Sequence, residues 1–171
     1  MNRTLALIVA TVVAGTLSLS AQGMTHVMLK DAEGKDVGMA MLSAAKGGGV
    51  SIDIDFKGLP PGEHALHFHQ TAKCEAPGFT TAGGHFNPGM KKHGMQNPEG
   101  PHAGDMANFT VAANGTAKAT IVNKNVSLGT DANSVFANGG TALMIHAAAD
   151  DMKSDPAGNA GARIACGTVT K

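Results

Sequence analysis

Residues 71–105 constrain the fold more than any other part of this sequence. They carry almost no hydrophobic periodicity, and Pro77, Pro88, Pro98 and Pro101 with interspersed glycines interrupt helix and strand alike. A structureless run of this length is uncommon in a compact domain unless it is disordered or something pins it. This one contains Cys74, His85, His93, His102 and Asp105, so a metal plus a disulfide is the natural pin. The spacings from His85 to His93, His102 and Asp105 are eight, nine and three residues, which are loop spacings. Three neutral imidazoles and one carboxylate would satisfy a four-coordinate zinc ion. The plainer reading is a polar loop that happens to be rich in histidine.

The surrounding segments read as strands. Val50, Ile52, Ile54 and Phe56 alternate with Ser51, Asp53 and Asp55, a period of two with one wet face. Weaker alternation occurs at 26–29, 37–42, 109–112, 117–122 and 142–146, with Gly or Asn between several of these runs. Asn114-Gly115, flanked by two of them, predicts a hairpin. The absence of Trp and Tyr, the 23 glycines and the lack of a long helical pattern complete the case for an all-β sandwich or barrel. A second irregular stretch covers 150–162.

Thirteen basic and thirteen acidic residues give a formal net charge of zero, which disfavours nucleic acid or an anionic membrane as partner. Asn2 and Arg3, an apolar run from Leu5 to Leu17, and small residues around Ser18, Ser20 and Ala21 have the layout of a secretory signal peptide. The run is too short to span a bilayer, which needs about 20 apolar residues. Residues 1–22 are thus expected to be a leader, cut somewhere in 20–23, and 23–171 a single exported domain, periplasmic or extracellular. In an oxidising compartment Cys74 and Cys166, the only two cysteines, read as a disulfide.

The other five histidines stand on strand patterns. His67 and His69 share one face of a strand, while His64 falls on the core side with Leu66 and Phe68. The first two form either a metal pair or a surface pair, and His64 reads as a core histidine beneath the site. His146 ends the run 142–146 on the outer face. His26 reads as an ordinary residue near the mature N-terminus. If cleavage follows Gly23, however, a free amine and third-position His26 could chelate Cu(II). The ten methionines are dispersed and read as fillers.

Taken in order, several motifs resemble the copper/zinc superoxide dismutase family. They are His67-Phe68-His69, Gly83-Gly84-His85-Phe86-Asn87-Pro88, Lys92-His93-Gly94, His102-Ala103-Gly104-Asp105, and the segment from Gly158 through Arg163 to Cys166-Gly167. The resemblance implies a Greek-key β-sandwich or flattened barrel, with two long loops forming a metal site on its outer face. It implies one copper and one zinc ion per subunit. His67, His69, His85 and His146 would hold copper, and His85, His93, His102 and Asp105 would hold zinc, with His85 bridging. Asp150 would link His67 to His93, Arg163 would sit beside copper as a catalytic group, and Cys74–Cys166 would anchor the loop. The implied reaction is dismutation of superoxide to dioxygen and hydrogen peroxide. A non-catalytic secreted relative that carries copper or uses the metals structurally is the competing reading. It would be expected to lack a copper ligand or the arginine. With no net charge, steering of superoxide would fall to local cations such as Arg163; Lys91, Lys92 and Lys153 are further candidates, although Lys91 and Lys92 read more simply as solvated loop residues. The family associates in more than one way, so monomer and homodimer stay open.

Overall fold

The structure is a computed structural model, and it describes residues 23–171. The leader assigned to 1–22 and its cleavage point lie outside the described residues, except that Gly23 and Met24 precede the first strand. Among the described residues no helix is long and apolar enough to cross a membrane.

Alternation does what the sequence requires. In β3 (Val50–Phe56) the four apolar residues are at most 4% exposed, while Ser51, Asp53 and Asp55 face away from the core. The same pattern holds in β1 (Thr25–Asp31) and β2 (Asp36–Ala44), where Val27, Leu29, Val37, Ala40 and Leu42 point inward. The remaining strands are β4 (Gly62–His64), β5 (Leu66–His69), β6 (Phe109–Val111), β7 (Ala117–Asn123), β8 (Thr141–His146) and β9 (Arg163–Val169).

Seven strands form one antiparallel sheet in the order β5-β8-β9-β1-β2-β3-β7, and β4 pairs with β6 as a separate two-stranded piece. The connectivity is of the Greek-key kind: β7 lies beside β3 although β4, β5 and β6 intervene in the chain. The long sheet curls into a half-barrel whose inner face closes around one apolar cluster, including Leu29, Leu42, Ile52, Phe56, Phe68, Leu143 and Ile145.

The hairpin expected at Asn114-Gly115 needs correcting. The turn forms, with Gly115 N donating to Ala112 O at 2.9 Å and Ala112 N to Thr116 O at 2.8 Å. Its arms then part, because β7 takes a seven-residue register with β3 while β6 pairs with β4. Phe109 of β6 is thereby set edge-on to Phe56 with ring centres 5.6 Å apart, which closes the barrel at that corner. A wider core contact thus outweighs the local turn signal.

Candidate metal centre

The stretch 71–105 has no strand and only one short 3-10 turn, Thr80–Ala82. Two devices pin it. Cys74 and Cys166 form a disulfide, and Phe79 and Ala82 pack with Ala142, Met144 and Cys166 into a second apolar cluster on the outer side of β8 and β9. The loop therefore covers the outer face of β5, where His67 is 0% and His69 1% exposed. Where loop crosses strand the backbones are tied: Phe68 N donates to Gly104 O, Gly104 N to Phe86 O and Phe86 N to Phe68 O, at 2.8 to 3.0 Å. A Cβ at Gly104 would overlap the Phe68 carbonyl, so the approach demands glycine there.

Two clusters of buried donor groups result, and His85 belongs to both. His67, His69, His85 and His146 form one, and His85, His93, His102 and Asp105 the other; within each, the donor atoms lie within 4.8 Å of one another. All of the ligand residues expected from the sequence are brought together.

For four of the rings an outer hydrogen bond determines which nitrogen faces inward. His67 Nε2 lies 2.8 Å from Asp150 Oδ2, and His93 Nε2 lies 3.0 Å from Asp150 Oδ1, so one carboxylate orients both rings. His69 Nδ1 donates to Gly83 O at 2.9 Å, and His146 Nδ1 lies 3.3 Å from Gly161 O. The nitrogens left over converge. His69 Nε2 and His146 Nε2 are 3.3 Å apart, each with its other nitrogen already engaged by a carbonyl. Two such lone pairs repel unless a cation lies between them. His67 Nδ1, His85 Nε2 and His93 Nδ1 are buried without a hydrogen-bond partner, a costly arrangement that a metal ion would resolve.

The second cluster fits zinc in size. His85 Nδ1, His93 Nδ1 and His102 Nδ1 lie 2.9, 3.1 and 3.3 Å from Asp105 Oδ1, only the His85 pair having hydrogen-bond geometry. His102 Nδ1 and His85 Nδ1 are 3.4 Å apart. Bonds of about 2.0–2.1 Å to a tetrahedral ion require ligand separations of about 3.3 Å. Asp105 keeps its other oxygen for the backbone, accepting from Gly94 N and His102 N at 2.9 Å each.

The surroundings also set protonation. Burial, then the neighbouring His85, pushes His69 down to about 2. Burial lowers His146 to about 3 and His85 to about 4. Burial would lower His93 too, but Asp105 and Asp150 outweigh it and raise it to about 9. Both aspartates, despite burial, are held well below the usual carboxylate range by their histidine and backbone donors.

These shifts predict how the metal-free protein responds to pH. A histidine lowered in the folded state resists the proton that the unfolded chain takes up below about 6.5, so its contribution is complete above that pH and lost as pH falls. For His85 alone, a fall through pH 4 removes on the order of 3 kcal/mol. His93 acts oppositely: its contribution is present below 6.5 and lost as pH rises through about 9. Urea midpoints of chelator-stripped protein should therefore peak near neutrality and fall on both sides. A flat profile from pH 4 to 9 would contradict the assignment.

Arg163 completes the site. The register of β8 against β9 shifts between Ile145 and His146, so Arg163 rather than Ile164 stands opposite His146. This bulge turns the guanidinium to the histidine face. Arg163 Nη1 and Nη2 donate to Phe79 O and Gly83 O at 2.7 Å each, and burial lowers its pKa without threatening its charge. An open cavity of about 670 Å³ runs down to His69, His85, His146 and Arg163, with Lys91 at its rim. Lys92 lies 3.9 Å from Asp155 instead, and neither it nor Lys153 lines the cavity.

His64 is buried as expected, its ring nitrogens 2.8 Å from His146 O and Pro60 O. Three supporting residues escape sequence reasoning. Asn108 makes a two-way backbone clasp on Asp150, at 2.9 Å in each direction. The Asp155 carboxylate accepts from His93 N at 2.7 Å. Gly158, at φ +64°, gives room to Asp150: a Cβ there would overlap Asp150 Oδ1 and lie 2.6 Å from His93 Nε2. Of the three, only Gly158 stands within a motif singled out in the sequence, and nothing in that glycine- and alanine-rich run shows its role.

Fold and site together define a β half-barrel with two adjoining clusters of buried metal-ligating side chains that share one histidine. The copper/zinc superoxide dismutase (SODC) family model matches residues 37–169. "Superoxide dismutase [Cu-Zn] 2" of Aquifex aeolicus is 48% identical over 165 residues, covering 92% of this chain and 96% of that protein. The solved Cu/Zn superoxide dismutase from Brucella abortus superposes with a TM-score of 0.71 at 30% identity, covering 86% of this chain and 99% of that one. A double mutant of a SOD-like protein from Bacillus subtilis superposes with a TM-score of 0.83 at 39% identity, covering 85% and 97%. The chain belongs to the copper/zinc superoxide dismutase family. It is an enzyme that uses copper and zinc to convert two superoxide ions and two protons to dioxygen and hydrogen peroxide.

Proposed function

We propose that His67, His69, His85 and His146 hold the copper of this dismutase, and that His85, His93, His102 and Asp105 hold its zinc. The observation that carries this division is the pair of clusters meeting at His85, with His67, His69, His93 and His146 each turned inward by a hydrogen bond on its far side. When bound, copper supplies the one-electron exchange and zinc a fixed positive charge beside it. Arg163 attracts superoxide and orients it at the floor of the cavity, with its guanidinium aimed by two loop carbonyls. His85 Nε2, buried without a partner among the protein's own groups, takes a proton and returns it to the reduced product. Asp150 is a positioning residue, holding two rings, one from each cluster, in their tautomers. The competing non-catalytic reading loses force, since His69, His85, His146 and Arg163 line one cavity and the buried His67 ring packs against His85 and His146 behind it.

Replacing Arg163 with alanine tests the catalytic part. A charge-assisted contact is worth about 1.5–3 kcal/mol, or roughly 10- to 150-fold in rate. Arg163→Ala should lose that much activity with copper and zinc content unchanged, and Arg163→Lys should recover part of it. Full activity in Arg163→Ala would remove the residue from the mechanism.

The leader pattern in residues 1–22 and the Cys74–Cys166 disulfide both support export, with the enzyme protecting a periplasmic or extracellular space. N-terminal sequencing of protein recovered outside the cytoplasm should give a start within residues 21–24, whereas an intact Met1 would contradict processing.

A further inference from the structure

The methionines are dispersed in the sequence, but strand pairing gathers four of them on one wet face. On β1 Val27 and Leu29 face the core, whereas His26 and Met28 face outward, Met28 being 53% exposed. Met24, just before the strand, has the same parity and is 63% exposed. On β2 Ala40 and Leu42 face the core, and Met39 and Met41 are half-buried on the outer side. The antiparallel register sets His26 against Met41 and Met28 against Met39.

Directly opposed side chains start about 5 Å apart, and alternate residues along a strand about 7 Å apart. One imidazole and three thioethers therefore rise from the corners of a small rectangle, with Met24 at its edge. Each sulfur stands two bonds beyond its Cβ on a flexible stem, so the four donors can close on a single ion. The next residues in the two rows are carboxylates: Asp53 opposite Met41 and Asp55 opposite Met39. Asp53 accepts from the Thr120 hydroxyl, and Asp55 lies 2.8 Å from Lys118 Nζ. On β3 the wet face is thus polar in the usual way, whereas on β1 and β2 it is thioether-rich.

Thioethers are soft ligands that select Cu(I) over zinc, calcium or magnesium, and imidazole also suits copper. We propose that this face binds one soft monovalent ion, Cu(I), through His26, Met28, Met39 and Met41, apart from the metal centre. His67, Met144, Cys166 and Lys30 are in register across β5, β8, β9 and β1. Three strand spacings, about 14 Å, separate His67 from Lys30, and the methionine face begins further along β1. The proposal is independent of the ligand roles assigned above.

Silver(I), a redox-inert ion of the same soft class, is a suitable probe. It is added to reduced holoenzyme, with both metals already in place, whose methionine ε-methyl groups are labelled for NMR. One equivalent should shift the Met28, Met39 and Met41 signals and leave those of buried Met106 and Met144 unmoved. His26→Ala should weaken binding at least about tenfold. The triple variant Met28→Leu/Met39→Leu/Met41→Leu keeps side-chain volume, so it should stay folded and fully active while taking up no silver here. Zinc should shift none of the three signals. The proposal is overturned if excess silver moves none of them, if shifts are confined to exposed Met90 and Met95, or if the triple variant binds undiminished. A homodimer that buries β1 and β2 and leaves the three signals silent to silver would also overturn it, and sedimentation on the same sample detects one.

Discussion

Replacing His85 with alanine is expected to cost at least about a thousandfold in dismutation, well beyond the 10- to 100-fold typical when a partner behind a metal ligand is removed. His85 is the one side chain common to both donor clusters. Its Nδ1 lies 2.9 Å from Asp105 and its Nε2 faces the other cluster without a partner. Its ring centre is 4.1 Å from that of His67 on one side and 5.5 Å from that of His102 on the other. Removing it leaves three donors in each cluster and opens a gap between them. Zinc affinity should fall, and the electronic spectrum of bound Cu(II) should cease to respond to whether zinc is present. Elemental analysis and copper absorption, recorded beside activity, check all three effects. A His85→Ala protein with a tenth or more of wild-type activity would contradict the shared position.

Loss of the disulfide should have the next largest effect, and on stability first. Cys74 and Cys166 are 92 residues apart; closing a loop of that length is worth about 4–5 kcal/mol in the chain-entropy model. For a domain of this size, about 2–4 °C per kcal/mol gives a fall of roughly 10–20 °C in Tm for Cys74→Ser/Cys166→Ser. Activity should fall as well, because the two carbonyls that aim Arg163 belong to Phe79 and Gly83 of the tethered loop. Calorimetry on metal-loaded protein, with and without reductant, is the direct check. A Tm unchanged within about 2 °C, with activity intact, would show that the apolar cluster around Phe79 holds the loop alone.

What the sequence revealed, and what it hid, follows from the range of the interactions involved. The alternation of Val50 to Phe56 fixes which face of β3 is wet, because strand parity is local. The parity of His64, His67 and His69 was legible for the same reason, down to the burial of His64 behind His146. The long loop announced a pin by its length and residue types. Register across strands is not local. Nothing near Asn114-Gly115 reveals that its two arms enter different sheets. Nothing near His146 reveals the bulge that turns Arg163 toward it. The methionine face is hidden likewise, since Met28 meets Met39 only through pairing. Asn108 and Gly158 act by clasping and clearing space for Asp150, a tertiary role without a sequence signature.

The central claim is that this site dismutes superoxide at a copper ion held in part by His146. It is tested most directly by metal content and superoxide-dismuting activity, measured together on wild type and His146→Ala after reconstitution with copper and zinc. The wild type should bind one of each and be active. His146→Ala should keep its zinc, whose cluster does not include that residue, while copper affinity and activity collapse. An inactive wild type with both metals bound, or undiminished activity in His146→Ala, would contradict the account.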